Sequence, residues 1–457
     1  MTALLIASQS AKNNGLDALA LSPEFSEDRL ALSFTDKFED SVRHVAQLGK
    51  WFFWDVTRWR IDETQLARDH VRGVCREFSS RCNWHRQAKL IASAKTVSAV
   101  ERLASTDRRV ATTIDHFDSD QMLLNTPSCT IDLRSGERRK HCPADYITKI
   151  TGAAPDSALP TPVWNQFLDR VTGGNTDLIL FLRRVAGYSL TGSTQEHALF
   201  FLYGTGANGK TTFLNAMTGA AGDYHCTTPI ETFTASNHDR HPTELAGLRG
   251  ARLVTATETE EGRRWAESRI KALTGGDRIA ARFMRQDFFE YTPQFKLIIA
   301  GNHKPGLRSV DEAIRRRFNL IPFTVTIPPQ ERDEQLPEKL KAELPGILAW
   351  MIEGCLDWRE RGLAAPQIVT DATAKYLQAE DAIAAWIDDC ATRDPNAFAK
   401  NSELFASWSG WATKCGEYVG SQKRFSQNLE ARGFSPHRHR QLGRGFQGIR
   451  LVGGVHG

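Results

Sequence analysis

What the chain lacks bounds it first. Its eight cysteines, Cys75, Cys82, Cys129, Cys142, Cys226, Cys355, Cys390 and Cys415, include no C-x-x-C pair. That argues against a disulfide framework and for free thiols in a reducing compartment. Cys82 and His85 form a C-x-x-H half-site with no second half at finger spacing, so no zinc is expected. No stretch approaches the roughly 20 apolar residues that cross a bilayer. The opening MTALLIASQSAKNN has neither a basic start nor a long apolar core, so it does not read as a secretion signal. The expected location is cytoplasmic, with no membrane partner. Internal repeats and low-complexity tracts are also missing. So is a strong charge imbalance: the net charge of +4 is too small for a generic polyanion binder.

What is present suits a soluble chain of two to four domains, since 457 residues exceed one ordinary core. Residues 1–30 are weakly patterned and read as an arm. Residues 31–160 hold the aromatic run Trp51-Phe52-Phe53-Trp54 with Trp59, helical spacing over 64–105, and a short strand at Cys129–Leu133. Residues 161–195 read as a helical collar. From 196 to 330 short apolar runs alternate with helices, the texture of an α/β nucleotide-binding sheet. The expected strands are Ala198–Tyr203, Arg252–Thr257, Phe295–Gly301 and Phe318–Phe323. Residues 331–375 read as a helical segment and 376–457 as a final domain, with a further helix-rich piece, Ala372–Tyr418, leading into the basic ending.

The strongest motif is Gly204-Thr-Gly-Ala-Asn-Gly209-Lys210-Thr211, a complete G-x-x-x-x-G-K-[ST]. Glycines let backbone N–H groups curl around phosphates, and the following helix turns its positive end toward them. Lys210 can reach the β/γ oxygens, and the Thr211 hydroxyl can ligate Mg²⁺. Gly204, Thr205, Gly206, Ala207, Asn208, Gly209, Lys210, Thr211 and Thr212 are therefore the expected ATP-binding residues, with ATP and Mg²⁺ as cofactors.

Further motifs follow in order. The strand Arg252–Thr257 ends in Glu258-Thr-Glu260-Glu261, and carboxylates there suit a Mg²⁺–water shell and an attacking water. The strand Phe295–Gly301 delivers Asn302, whose carboxamide can orient water against a γ-phosphate. Arg315-Arg316-Arg317 precede the strand at Phe318, where an arginine can serve a neighbouring subunit as a finger.

The phrases FFLYGTGANGKTT, ELAGLRGARLVTATETEEG, IKALTGGDRIAARF, FKLIIAGNHKP and DEAIRRRFNLIPF stand in that order. They resemble the superfamily 3 helicase core of the phage/plasmid primase–helicase family, which includes the poxvirus primase–helicase. The earlier phrases KWFFWDVTRWRID, LLNTPSCTIDLRSGE and FLRRVAGYSLTGSTQEHALF resemble that family's helicase-associated domain. The resemblance spans roughly residues 30–330.

It implies an α/β, AAA+-like P-loop ATPase core, an N-terminal helicase-associated α+β/helical domain and a hexameric ring with ATP sites between subunits. By the same likeness Glu258 is the main Walker B carboxylate and a Mg²⁺ ligand with Thr211. Asn302 is the polar sensor, and Arg316 or Arg317 the finger, with Arg317 favoured. The family often sets two acidic residues side by side, whereas here Thr259 separates Glu258 from Glu260, so both remain candidates for polarising water. A pore hairpin is implied between Glu258 and Asn302. Arg278, Arg282 and Arg285 are its candidate DNA contacts, with a solvated face as the other reading for the last two. Phe283 could meet bases, while core packing is favoured for Phe288 and Phe289.

Asp118-Ser-Asp120 has the D-x-D look of a polymerase metal pair, but no S-x-H element follows and it reads as structural. The family's primase domain is not expected, so priming falls to a separate primase or replisome protein. Residues 402–452 resemble a winged helix with a hairpin tip at Gly443-Arg444-Gly445. Lys423, Arg424, Arg438, Arg440 and Arg444 are its candidate DNA contacts. From Ser421 to the end seven basic residues face one acid, Glu430; a solvated tail or a subunit contact is the alternative there.

The reading is an ATP hydrolase and replicative DNA helicase of a phage, plasmid or mobile element. It would move 3′ to 5′ on single-stranded or forked DNA as a homo-hexamer. The alternatives are an ATP-controlled DNA-binding initiator or defence switch without unwinding, and a P-loop phosphotransferase.

Overall fold

A computed structural model describes residues 23–235, 243–257, 263–285, 287–307 and 310–452. The chain divides into two compact units, Met1–Asp132 with Glu137–Ala154, and Leu133–Gly136 with Pro155–Gly457.

In the first unit, helix α1 (Glu27–Phe38) starts inside the stretch expected to be an arm. Ser26 caps it by accepting from the Arg29 N–H at 3.2 Å, and Leu30 and Phe34, one turn apart, are fully buried. Strands β1 (Val42–Val45), β2 (Lys50–Trp54) and β3 (Trp59–Ile61) follow. Helices α2 (Leu66–Arg81), α3 (His85–Ile91) and α4 (Ala94–Ala104) come next, then β4 (Ala111–Thr112). The sheet order is β3-β2-β1-β4, and its core joins Trp51 to the apolar stripe Val71, Val74, Cys75 and Phe78 of α2. A second sheet of β5 (Leu123–Asn125), β6 (Thr130–Asp132) and β7 (Glu137–Arg139) is antiparallel. Asp118 accepts from the Thr148 N–H at 2.8 Å, and Asp120 from the Met122 N–H at 2.9 Å. Asp120 therefore holds its own turn, whereas Asp118 ties its segment to Thr148.

The second unit opens with α5 (Pro162–Thr172) and α6 (Thr176–Ser189), then β8 (Leu199–Tyr203) and α7 (Lys210–Ala221). Strand β9 (His225–Thr227), the four-residue helix α8 (Thr243–Ala246), β10 (Leu253–Thr257) and α9 (Glu267–Gly275) come next. A hairpin of β11 (Ile279–Ala281) and β12 (Phe289–Tyr291) leads to β13 (Lys296–Gly301). After α10 (Glu312–Arg315) comes β14 (Phe318–Pro322). The five strands lie parallel in the order β14-β8-β13-β10-β9. Four of them fall within a residue of the expected ranges, because continuous apolar runs mark strands buried on both faces. The three-residue β9 escapes such a reading.

Three helices, α11 (Leu336–Ala342), α12 (Leu344–Arg361) and α13 (Gln367–Ala379), complete the layer around the sheet. Helices α6 and α12 approach closely. A Cβ on Gly187 would fall 2.0 Å from the Cys355 nitrogen, and one on Gly354 2.0 Å from the Arg183 carbonyl oxygen. Trp265, almost fully buried, donates from Nε1 to the Tyr376 hydroxyl at 3.0 Å and ties α13 to the sheet core.

The chain ends with α14 (Ala382–Cys390), β15 (Ala391–Lys400), α15 (Asn401–Lys414) and α16 (Gln422–Ala431). Strands β16 (Ser435–His439) and β17 (Gly443–Leu451) follow, in the sheet order β15-β17-β16. Trp386, Trp408, Phe425, Leu429, Phe446 and Ile449 form its core. Strand β15 interrupts the helix-rich piece expected over Ala372–Tyr418. Its Asp394, Pro395 and Asn396 hide the strand, and they sit where the register with β17 shifts between Asp394 and Phe398. The β16–β17 turn also lies a little earlier than expected, at residues 440–442, with Gly443 already in β17.

Candidate functional site

Strand β8 runs straight into the Gly204–Thr211 loop, and α7 starts at Lys210. The loop needs its glycine at 209: φ there is +83°, and a Cβ would come within 2.5 Å of Val171 Cγ1 on α5. Asn208 locks the loop from within, donating to the Phe323 carbonyl at 2.7 Å and to the Thr205 carbonyl at 3.2 Å. Thr205, Gly206 and Ala207 are left exposed, and so is Thr211 in the first turn of α7.

Because the strands are parallel, their C-terminal ends converge on one edge. Residues 206–212 of the loop and helix line a cleft of about 510 Å³ together with Thr257 at the end of β10 and Asn302 just beyond β13. Lys210, 7 % exposed, donates to the Gly204 carbonyl at 2.7 Å, to Asn208 Oδ1 at 3.0 Å and to Asn302 Oδ1 at 3.1 Å. Each of these acceptors is neutral. Burial pushes the ammonium pKa below the ordinary lysine value, a cost that an anionic ligand relieves. The cleft therefore presents a largely buried cation, a helix N-terminus and a carboxamide to one small volume. Glu258 and Glu260, expected at the end of β10, lie outside the described residues.

The arginine cluster sorts differently from the expectation that favoured Arg317. That side chain is 5 % exposed, donates to Thr274 Oγ1 at 3.0 Å and to the Ala313 carbonyl at 2.7 Å, and braces α9 against α10. Burial lowers its pKa, with Arg316 adding to the effect. The guanidinium thus already has acceptors within this chain. Arg316 is exposed. Arg315 pairs with Asp381 at 3.2 Å, and Arg432 of the chain end reaches the other oxygen of the same carboxylate. Asp381 and Arg432 carry no motif, and only the folded chain brings them to the cluster.

The β11–β12 hairpin places Arg278 3.9 Å from Glu290, stacks Arg282 on the Phe288 ring at 4.7 Å and leaves Arg285 exposed with φ +61°. Phe288 is 59 % exposed, which corrects its assignment to the core; Met284 is 69 % and Phe283 40 % exposed. Phe289 does pack inward, 5.8 Å from Phe283 and 5.1 Å below Arg249. The hairpin tip is thus apolar, cationic and solvent-facing.

Near the chain end Lys423, Arg438, Arg440 and Arg444 are exposed, whereas Arg424 is half-buried. Arg438 and Arg444 stand directly opposite each other across β16 and β17. Like charges paired this way destabilise a sheet unless an anion lies over them.

Residues 31–173 match the family model described as D5 N terminal like, and residues 202–317 match one described as a family of unknown function (DUF5906). The chain is 25 % identical over 305 residues to "Putative helicase L207/L206" of Acanthamoeba polyphaga mimivirus, covering 62 % of this chain and 32 % of that protein. It is 24 % identical over 255 residues to "Putative helicase 022R" of Frog virus 3 (isolate Goorha), covering 51 % of this chain and 26 % of that protein. It therefore spans a third or less of the length of these relatives. Among solved structures it resembles the apo C terminal region of NrS-1 with a TM-score of 0.51 at 11 % identity, covering 93 % of this chain and 99 % of that one. A second apo structure of that region (305-718) gives 0.51 at 11 % identity, with 92 % and 98 % covered. These structural likenesses concern the fold: a mixed α/β chain built on a parallel sheet. Among the described residues no helix is long and apolar enough to cross a membrane.

Proposed function

We propose that this chain is an ATP-driven DNA helicase of the superfamily 3 type, with an AAA+-like core that works as a ring. The observation that carries the reading is the convergence of Lys210 and Asn302, 3.1 Å apart, in a cleft built from a complete phosphate-loop motif at the ends of parallel strands. A nucleoside triphosphate fits that cleft. Backbone N–H groups of residues 205–211 and the N-terminus of α7 cradle the phosphates, and Lys210 exchanges its neutral acceptors for β/γ oxygens. Thr211 and an acidic residue such as Glu258 would hold Mg²⁺, which would supply charge neutralisation for the phosphates. Asn302 orients the attacking water, with Glu258 or Glu260 as its base. Arg316 is the finger offered to the next subunit. The helicase names of the viral relatives support this reading.

The exposed hairpin tip would grip single-stranded DNA in the ring, Arg278 and Arg282 on the backbone and Phe283 or Phe288 against bases. The final helix–strand–helix–helix–strand–strand module would act as a winged helix, with Lys423, Arg438, Arg440 and Arg444 on phosphates. Replication of a phage, plasmid or virus-like genome, 3′ to 5′ movement and a separate primase complete the proposal.

The test is displacement of a strand from forked DNA with a 3′ tail in ATP and Mg²⁺. Unwinding by the wild type that disappears in Lys210→Ala and Arg316→Ala supports a motor. ATP hydrolysis indifferent to DNA would sink it.

A further inference from the structure

The stretch from Cys82 to Val100 contains no acidic residue, yet carries His85, Arg86, Lys89 and Lys95. It forms α3 and the first turns of α4 in the first unit. Arg86, Lys89 and Lys95 are exposed, and none has a carboxylate partner among the described residues. Immediately before α3, Trp84 is 76 % exposed, the most exposed large ring of the described chain. Beside α3 a groove of about 450 Å³ opens between α2 and the start of α4. Buried Cys75 and Val97 contribute an apolar floor. Arg68, Arg72 and Arg76 form its rim, four residues apart along one face of α2, in steps of about 6 Å. Arg72 and Arg76 share Asp69 at 3.3 and 3.6 Å, and Arg68 lies 3.5 Å from Glu101, but the side chains of Arg72, Arg76 and Arg68 are 58 %, 63 % and 43 % exposed. Pairs that exposed are weak and exchange readily for another anion.

Clustered cations without acidic neighbours set up a positive local field, and a large exposed ring beside them offers a flat stacking face. An occupant carrying evenly spaced negative charges and flat apolar faces matches both. Single-stranded nucleic acid has that chemistry, with phosphates for the cations and an unstacked base for the ring. A membrane surface would be met by a broad apolar face, whereas α3 adds only Leu90 to Trp84.

We propose that α3 and the adjoining groove form a single-stranded-DNA contact on the first unit, separate from the hairpin and the chain end. Trp84 stacks on a base, Arg86, Lys89 and Lys95 take phosphates, and the arginine rim of α2 continues the track. The surface needs no ATP. The choice of DNA over RNA rests on the helicase reading above.

The experiment uses the full chain without nucleotide, crosslinked to oligothymidylate bearing 5-iododeoxyuridine and then peptide-mapped. A crosslink in the peptide holding Trp84, abolished in Trp84→Ala, is expected. Arg86→Glu with Lys89→Glu should weaken binding about tenfold and reduce the salt slope by about 1.4, since each phosphate no longer neutralised removes about 0.7. Trp84 is exposed enough for its truncation to spare the fold, and a matched melting temperature checks this. Unchanged crosslinking and affinity in these variants overturn the proposal. So does a change of oligomeric state in Trp84→Ala with DNA binding intact, which would make the patch an interface between copies. Tighter capture by acidic vesicles than by oligothymidylate also overturns it. The helicase reading fails differently, through ATP hydrolysis indifferent to DNA, and leaves the crosslink in place.

Discussion

Lys210 Nζ lies 3.1 Å from Asn302 Oδ1, joining two residues 92 positions apart in the chain. The contact exists because β8 and β13 are adjacent and parallel, pairing Gly301 with Tyr203 in register. Each strand therefore releases its next segment at the same edge of the sheet. A buried cation and a carboxamide are thereby set on one small volume.

If Asn302 positions the attacking water, Asn302→Ala should lower kcat for ATP hydrolysis about a hundredfold, the scale of one preorganised polar group removed. KM for ATP should move much less. Lys210→Ala should lose nucleotide binding as well. Steady-state hydrolysis with a fluorescent-nucleotide titration separates the two, and wild-type kcat in Asn302→Ala would remove that residue from the chemistry.

Arg316 and Arg317 should part company. Arg317→Ala leaves the Thr274 hydroxyl and the Ala313 carbonyl without their donor in a buried setting and should cost about 1–3 kcal/mol of stability. Arg316→Ala removes an exposed side chain. It should leave the melting temperature within a degree or so while abolishing hydrolysis. Partial rescue when Arg316→Ala is mixed with Lys210→Ala would place the finger across a subunit boundary; reduced stability in Arg316→Ala would contradict the assignment.

Asp381 joins Arg315 to Arg432 and also caps α14 through the Ala384 N–H at 3.1 Å. Its side chain is 7 % exposed. Asp381→Ala should cost about 3 kcal/mol, since it strands Arg432 and removes a cap. Arg315→Ala should cost under about 1 kcal/mol, because that side chain is 44 % exposed. Urea denaturation of both variants measures the contrast, and equal effects would contradict it.

Acid should weaken the second unit through His225. Burial holds its pKa below the ordinary 6.5, and Nε2 lies 2.8 Å from Thr255 Oγ1 on the neighbouring strand. The unfolded chain therefore takes up a proton before the folded one does. Stability is complete above pH 6.5 and falls as the pH drops below that value. His225→Gln should flatten this part of the profile, read from melting temperatures between about pH 7.5 and 5.5. An unchanged slope would exclude His225 as the source.

Much of the second unit was legible in the residues alone. Strands β8, β10, β13 and β14 are apolar runs buried on both faces, and the phosphate loop needs its glycine and lysine wherever it occurs. The first unit shows its helices by period, but its short strands pair over distance and leave little local trace. Strand β15 was illegible for a particular reason: Asp394, Pro395 and Asn396 oppose strand formation locally, and pairing with β17 overrides them.

Order, spacing and residue type were thus enough to set the Gly204–Thr211 loop between a buried strand and a helix, where the cleft opens. Which arginine is free was decided only by the tertiary structure. Arg315, Arg316 and Arg317 are chemically alike and adjacent, and they differ in what the fold sets against each: a carboxylate from α14's cap, open solvent, and the buried Thr274 hydroxyl. The same holds for Phe288, which any apolar scale would bury and which the hairpin instead turns outward over Arg282. Burial is a property of the whole packed chain, and no local window of sequence contains it.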